Sequence, residues 1–305
     1  MSNSQAAILS VHTGVRGFYT LQVRTAEGEV KQEAYFQNLI TDAGLDMLGE
    51  STFISLRFAL GTGTGTPAPS DTTLTGTTLL GTGSASVANN AAAQIPPYKT
   101  STTWSQQSAQ GGVAGTWTEV AIGAGTTAAS FKAFSRALIQ DASGSPTSIT
   151  ILPTEFLTVL YTLELIVPAD DVVGVVGIHT FRVRAASATS ISSWGMNTSN
   201  SLRPFRSPAA IIAYSGPLAA VTSSPTGALT GNAPATFNSY VAGSFELSGS
   251  CTFSITSGNG TIRCITLPPI GPSVAKFQCE VDPPIVKNNT QTLTIGFRFT
   301  WGRAI

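Results

Sequence analysis

Apolar positions in this chain recur mostly at every second residue, the period of a half-buried β-strand. Residues 17–24 (GFYTLQVR) alternate in this way and are rich in β-forming types. The AEGE step at 26–29 can turn the chain, so that 30–36 returns as a hairpin partner. One helix interrupts the strands. Thr41 or Asp42 can cap it, Leu45 and Leu48 share a face at i, i+3, and Gly49 is placed to stop it. Strand patterns then resume at 53–60, 98–105, 117–122, 131–139, 148–152 and 156–167. After Pro168-Ala169-Asp170-Asp171 they continue at 172–185, 209–214, 236–247, 251–256, 261–267, 275–281 and 290–301. Ser257-Gly258-Asn259-Gly260 reads as a hairpin turn between two of them.

Many short strands at irregular spacing, with almost no helix, predict an all-β fold of two β-sandwich-like domains with one short helix in the N-terminal domain. The proline and two acids at 168–171 place the boundary, giving domains 1–168 and 169–305. Within the first, residues 61–97 form a Gly/Thr-rich arm whose one charged residue is Asp71. Leu74, Leu79, Leu80, Val87 and Ile95 are spaced along it. Two readings follow: the arm is ordered against a neighbouring subunit, or it is a surface loop packed on its own domain.

Composition narrows the function classes. Sixteen basic and sixteen acidic residues give no net charge, which argues against nucleic-acid capture and a polybasic membrane anchor. Only 10% of residues are charged while 42% are hydrophobic. Such a neutral, hydroxyl-rich surface suits packing into an assembly. No charge occurs from 207 to 245, so much of this stretch is expected to be buried against another chain. The first five residues carry neither a basic nor an apolar region, which predicts no secretion signal. No apolar run is long enough for a membrane helix. Cys251, Cys264 and Cys279 are odd in number and form no CxxC pair. They read as small buried apolar residues, with a Cys251–Cys264 cross-strand bridge as the alternative.

Candidate chemistry is sparse. His12 precedes a Thr-Gly step and is expected in a surface turn, and His179 sits in an alternating stretch. Neither has the companions of a catalytic triad. The GTGTGT run at 61–66 lacks the lysine and following helix of a phosphate loop. Asp42, Asp46 and Glu50 share one helical face, which suits a solvated face or a calcium site. Trp104, Trp117, Trp194 and Trp301, with Tyr98 and Tyr240, could build a sugar-stacking platform or fill cores and interfaces. Glu119, Arg136 and Glu155 are charges embedded in apolar strands. They suit either a buried pair such as Arg136–Glu119 that fixes strand register, or a solvent-facing row. These readings predict no catalytic, cofactor or metal site.

One pattern is shared with known proteins. The segment 36–46 (FQNLITDAGLD) is followed by Phe58-Ala59-Leu60-Gly61-Thr62-Gly63 and PAPSDTTL at 67–74. Later come Trp117-Thr118-Glu119-Val120, FSRALI at 134–139, the turn at 141–146 and EFLTV at 155–159. This order resembles tail-fibre and tail-appendage proteins of tailed bacteriophages over about residues 30–165, with Val120-Ala121-Ile122-Gly123 in place of a tighter Glu-Val-Gly. The resemblance implies a non-enzymatic virion structural protein: a tail fibre, adaptor, or baseplate or collar component, assembled in the host cytoplasm. It implies a homo-oligomer, expected as a trimer, with other tail or virion proteins as partners. The alternatives are a carbohydrate-binding receptor module that recognises a host surface glycan, and a capsid decoration protein.

Overall fold

The computed structural model describes residues 8–50, 54–76, 78–81, 85–89, 95–186, 201–202, 205, 210–221, 223–270 and 275–304. Among the described residues strands make up 56% and helices 4%, so the fold is all-β. The N-terminal half runs β1 (Ile8–Arg24), β2 (Val30–Gln37), β3 (Leu39–Ile40), helix α1 (Asp42–Gly49), β4 (Ile54–Gly61), β5 (Thr78–Leu80) and β6 (Ala85–Asn89). It continues through β7 (Lys99–Gln107), β8 (Gly115–Trp117), β9 (Glu119–Ala124), β10 (Lys132–Leu138), β11 (Ile149–Ile151) and β12 (Phe156–Ile166). The C-terminal half begins with β13 (Val172–Val176), β14 (His179–Ala186), β15 (Ser201–Leu202), β16 (Ala210–Ile211) and β17 (Ala213–Tyr214). It ends with β18 (Ala233–Phe237), β19 (Glu246–Phe253), β20 (Gly260–Ile270), β21 (Ala275–Lys287) and β22 (Leu293–Arg303).

A nine-stranded sheet ordered β16-β18-β19-β22-β1-β12-β7-β6, with β2 also on β1, forms a wall common to two sandwiches. The long strand β1 makes this possible. Its first half pairs in parallel with β22, and its second half pairs antiparallel with β2, while β12 lies along its other edge. The two halves of the chain therefore share one sheet. In the N-terminal half this wall faces β15-β4-β9-β10-β3, where Phe134 meets Tyr161 edge-on and the Tyr19 hydroxyl lies 2.7 Å from Ser135 Oγ. In the C-terminal half it faces β13-β14-β21-β20-β17, where Phe277 meets Phe299.

Period-two alternation selects the buried face. Val11, Val15, Tyr19, Leu21 and Val23 of β1 point inward, as do Leu157, Val159, Tyr161, Leu163 and Leu165 of β12. In β22 the same face carries Ile295, Phe297, Phe299 and Trp301.

Thr41 is the helix cap, accepting the Gly44 N–H at 2.9 Å. Its hydroxyl also donates to Ala133 O at 2.6 Å, which ties the helix to β10. The C-terminal half seals the other end, with Trp301 Nε1 donating to Leu45 O and the Phe205 N–H to Leu48 O.

Three expectations are corrected. Residues 172–185 form a hairpin, because Gly177 at φ +61° turns the chain between Val176 and His179. Residues 238–245 leave the sheet between β18 and β19. The turn at 257–260 carries the chain from the nine-stranded sheet to the facing one, since β19 pairs with β18 and β22 while β20 pairs with β21 and β17.

Candidate functional site

Two of the separated sequence stretches noted above, 67–74 and 117–120, meet a third at Arg136. Its Nε and Nη2 donate to Glu119 Oε2 at 2.8 and 2.7 Å. Nη1 reaches Asp71 Oδ2 at 2.5 Å, and Nη2 also donates to Gly65 O and Thr75 Oγ1. The other oxygen of Glu119 accepts the Gly63 and Thr75 N–H groups at 3.1 and 2.8 Å. Arg136 is 2% and Glu119 0% exposed, so the buried reading of this pair is the observed one. Register explains the contact: Ala137 faces Val120 and Leu138 faces Glu119, which sets the guanidinium over the carboxylate.

Burial opposes ionisation of Asp71. The Ala68 N–H and the Arg136 guanidinium outweigh it and hold the Asp71 pKa below the ordinary carboxylate value. Burial likewise acts against the Arg136 cation, and its bonds to Asp71 and Glu119 prevail and raise its pKa.

The hub fixes what the 61–97 arm does. Residues 61–76 lie over the outer side of β9 and β10, where Leu74 packs with Ala59, Ala121, Phe131 and Ala133. β5 then pairs with β4, and β6 with β7. The described part of the arm therefore makes strand pairs and apolar contacts with its own domain. Its signal was Asp71: a lone charge in a long uncharged segment marks an internal ion pair. Beside the hub, Gln37, Asn38, Leu39, Thr66, Pro67, Leu138 and Pro146 line an open cleft of ≈ 410 Å³.

The other singled-out residues separate. Glu155 is buried and binds the Lys31 ammonium and the Leu152 N–H, which lower its pKa. Asp42 pairs with Arg303 at 2.5 Å. Asp46 accepts the Tyr240 hydroxyl and the Gly243 N–H, so two of the three helix acids hold the C-terminal half. His12 lies in β1 rather than in a turn, with Nδ1 3.0 Å from Thr300 Oγ1. His179 Nδ1 lies 2.7 Å from Pro283 O. Of the two readings of the rings, the core-filling one holds for the described tryptophans: Trp104, Trp117 and Trp301 are buried, and Tyr240 stacks on Trp301. Alternation in β7 and β22 turns Trp104 and Trp301 inward. Trp194 lies outside the described residues. Cys251, Cys264 and Cys279 are free and buried, so the Cys251–Cys264 bridge is not formed.

The most exposed apolar element is β13, at the edge of the five-stranded sheet. Val173, Val175 and Ile178 are 59%, 69% and 79% exposed, and no charge lies between Asp171 and Arg182. Val241, in the uncharged 207–245 stretch, is also exposed. Among the described residues no helix is long and apolar enough to cross a membrane.

No protein-family model, curated protein or solved structure matches this chain.

Proposed function

We propose that the chain is a structural protein of a tailed-phage particle, a tail fibre, adaptor, or baseplate or collar component that acts by assembly and without catalysis. The observation that carries this reading is the β13 edge. Soluble proteins normally protect sheet edges with charge, proline or cover, because free backbone donors and acceptors recruit other strands. Here the edge presents valines and no charge, the arrangement suited to pairing with another subunit. The likeness over residues 30–165 supplies the tailed-phage context and the expected trimer. The hub supports a building role for that region, because its charged residues Asp71, Glu119 and Arg136 are spent on pairing within the fold.

The test is sedimentation of the purified chain beside a Val173→Lys/Val175→Lys variant, together with proteomics of purified phage particles. A concentration-dependent oligomer that the variant disperses, at unchanged Tm, supports assembly through β13. A monomer at high concentration overturns assembly, and absence of the chain from particles overturns the virion assignment.

A further inference from the structure

The corner between the two C-terminal sheets contains a buried cation that has no counter-ion among the described residues. Lys287, the last residue of β21, is 3% exposed. Its Nζ donates to Ser254 O at 2.6 Å, Asn259 Oδ1 at 2.7 Å and, at 3.5 Å, Asn288 O. All three acceptors are neutral, and among the described residues no carboxylate forms an ion pair with Lys287. Burial accordingly pushes the Lys287 pKa down. An uncompensated buried charge is costly, and most proteins remove that cost with a partner of opposite sign.

The nearest acceptor has the chemistry to become that partner. Asn259 precedes Gly260, the one Asn-Gly step in the sequence. Glycine places no side chain in the path between its own nitrogen and the preceding Asn Cγ. Gly260 also pairs with Lys287 across β20 and β21, so backbone, amide and ammonium share one corner. The Asn259 amide is held at both ends, with Nδ2 donating to Ile255 O at 2.9 Å and Oδ1 accepting from Lys287. A fixed cation on the carbonyl oxygen stabilises the negative charge that develops there when a nucleophile adds to Cγ.

We propose that Asn259 is a self-modifying site, in which Lys287 promotes deamidation of Asn259 to an acidic residue that then serves as the Lys287 counter-ion. In the first step the Gly260 nitrogen bonds to Asn259 Cγ. The Cγ–Nδ2 bond breaks, and Nδ2 leaves as ammonia with the proton lost from Gly260 N. In the second step water adds to the cyclic imide. Its hydroxyl goes to the carbonyl carbon and its proton to the departing nitrogen, giving aspartate or isoaspartate. The sum is amide plus water to acid plus ammonia, and no oxidant or further reactant enters. The corner, neutral-lined at synthesis, acquires an ion pair with age.

The experiment is intact-mass analysis and peptide mapping of the full chain during incubation at mildly alkaline pH. The expected result is conversion at Asn259 ahead of Asn288 and Asn289. Conversion should slow in Gly260→Ala, and in Lys287→Met by at least about tenfold, since one preorganised oxyanion donor contributes on the order of 100-fold in enzymes. A chain made with Asn259→Asp should melt above the unaged protein, and adding Lys287→Met should erase that gain. This second arm remains informative if Lys287→Met alone folds poorly. Equal rates at all asparagines, unchanged kinetics in Lys287→Met, or a lower Tm for Asn259→Asp would each overturn the proposal. So would loss of ammonia with the Lys287 and Asn259 peptides joined, which would mean a cross-link instead.

Discussion

Arg136 and Glu119 sit diagonally across neighbouring strands, both buried, with Arg136 Nη2 and Glu119 Oε2 2.7 Å apart. Each buried charge has a partner of opposite sign, and removing either one leaves an uncompensated charge, which is costly. The pair also holds the loop that covers the outer side of β9 and β10, through Gly63, Gly65 and Thr75. Its contribution is thus to the position of a loop as well as to the strand register.

Arg136→Met should destabilise the chain by about 3–5 kcal/mol, because it leaves Glu119 buried and unpaired. Adding Glu119→Gln should recover most of that loss, since a neutral amide still offers an acceptor to Gly63 and Thr75. Urea unfolding of the two variants measures both effects. In Arg136→Met, the Gly63 and Thr75 amides should exchange faster than in the native chain.

The Asp71 carboxylate makes the hub sensitive to acid. Its folded pKa is lowered, whereas an unfolded aspartate titrates at about 3.9. Its stabilising contribution is therefore complete above that pH and is lost as the pH falls through the folded value. Thermal melts through the acid range should show Tm falling with pH in the native chain. The fall should be shallower in Asp71→Asn, which starts from a lower Tm at neutral pH.

Gly44 lies where helix α1 touches β10, and an added Cβ would sit 1.9 Å from Phe134 O. Helix propensity alone favours alanine over glycine by about 1 kcal/mol. The contact reverses the sign, because the helix must move off the strand and overpacking costs about 1–3 kcal/mol. Gly44→Ala should therefore lower the urea midpoint at an unchanged m value.

The three cysteines should be inert in the native chain. Burial raises the Cys251 and Cys264 thiol pKa values to about 12 and pushes Cys279 up as well. The thiolate is the reacting form. A thiol reagent at mildly alkaline pH should label none of the three before unfolding and all of them in denaturant. Labelling of Cys264 in the native state would show that the β20–β21 corner opens.

Local pattern was enough to find most of the elements. Alternation located β12, β22 and the second half of β1, and the Thr41 cap and Leu45–Leu48 spacing located α1, because these features depend on residues close in sequence. The all-β class followed from the same signals, and the embedded charges at 119 and 136 already suggested a pair. Partnership between distant strands was decided only in three dimensions. Nothing near Ile8 announces that β1 will lie parallel to β22, and nothing near Ser257 distinguishes a hairpin from a corner between sheets. The ligands of Arg136 come from residues 65, 71, 75 and 119, brought together by the loop across the sheet. Inward or outward pointing of Trp104 and Trp301 depends on which face the opposing sheet covers. Sequence sets the period of a strand, whereas the choice of neighbour rests on burial summed over many distant contacts, which only the folded chain assembles.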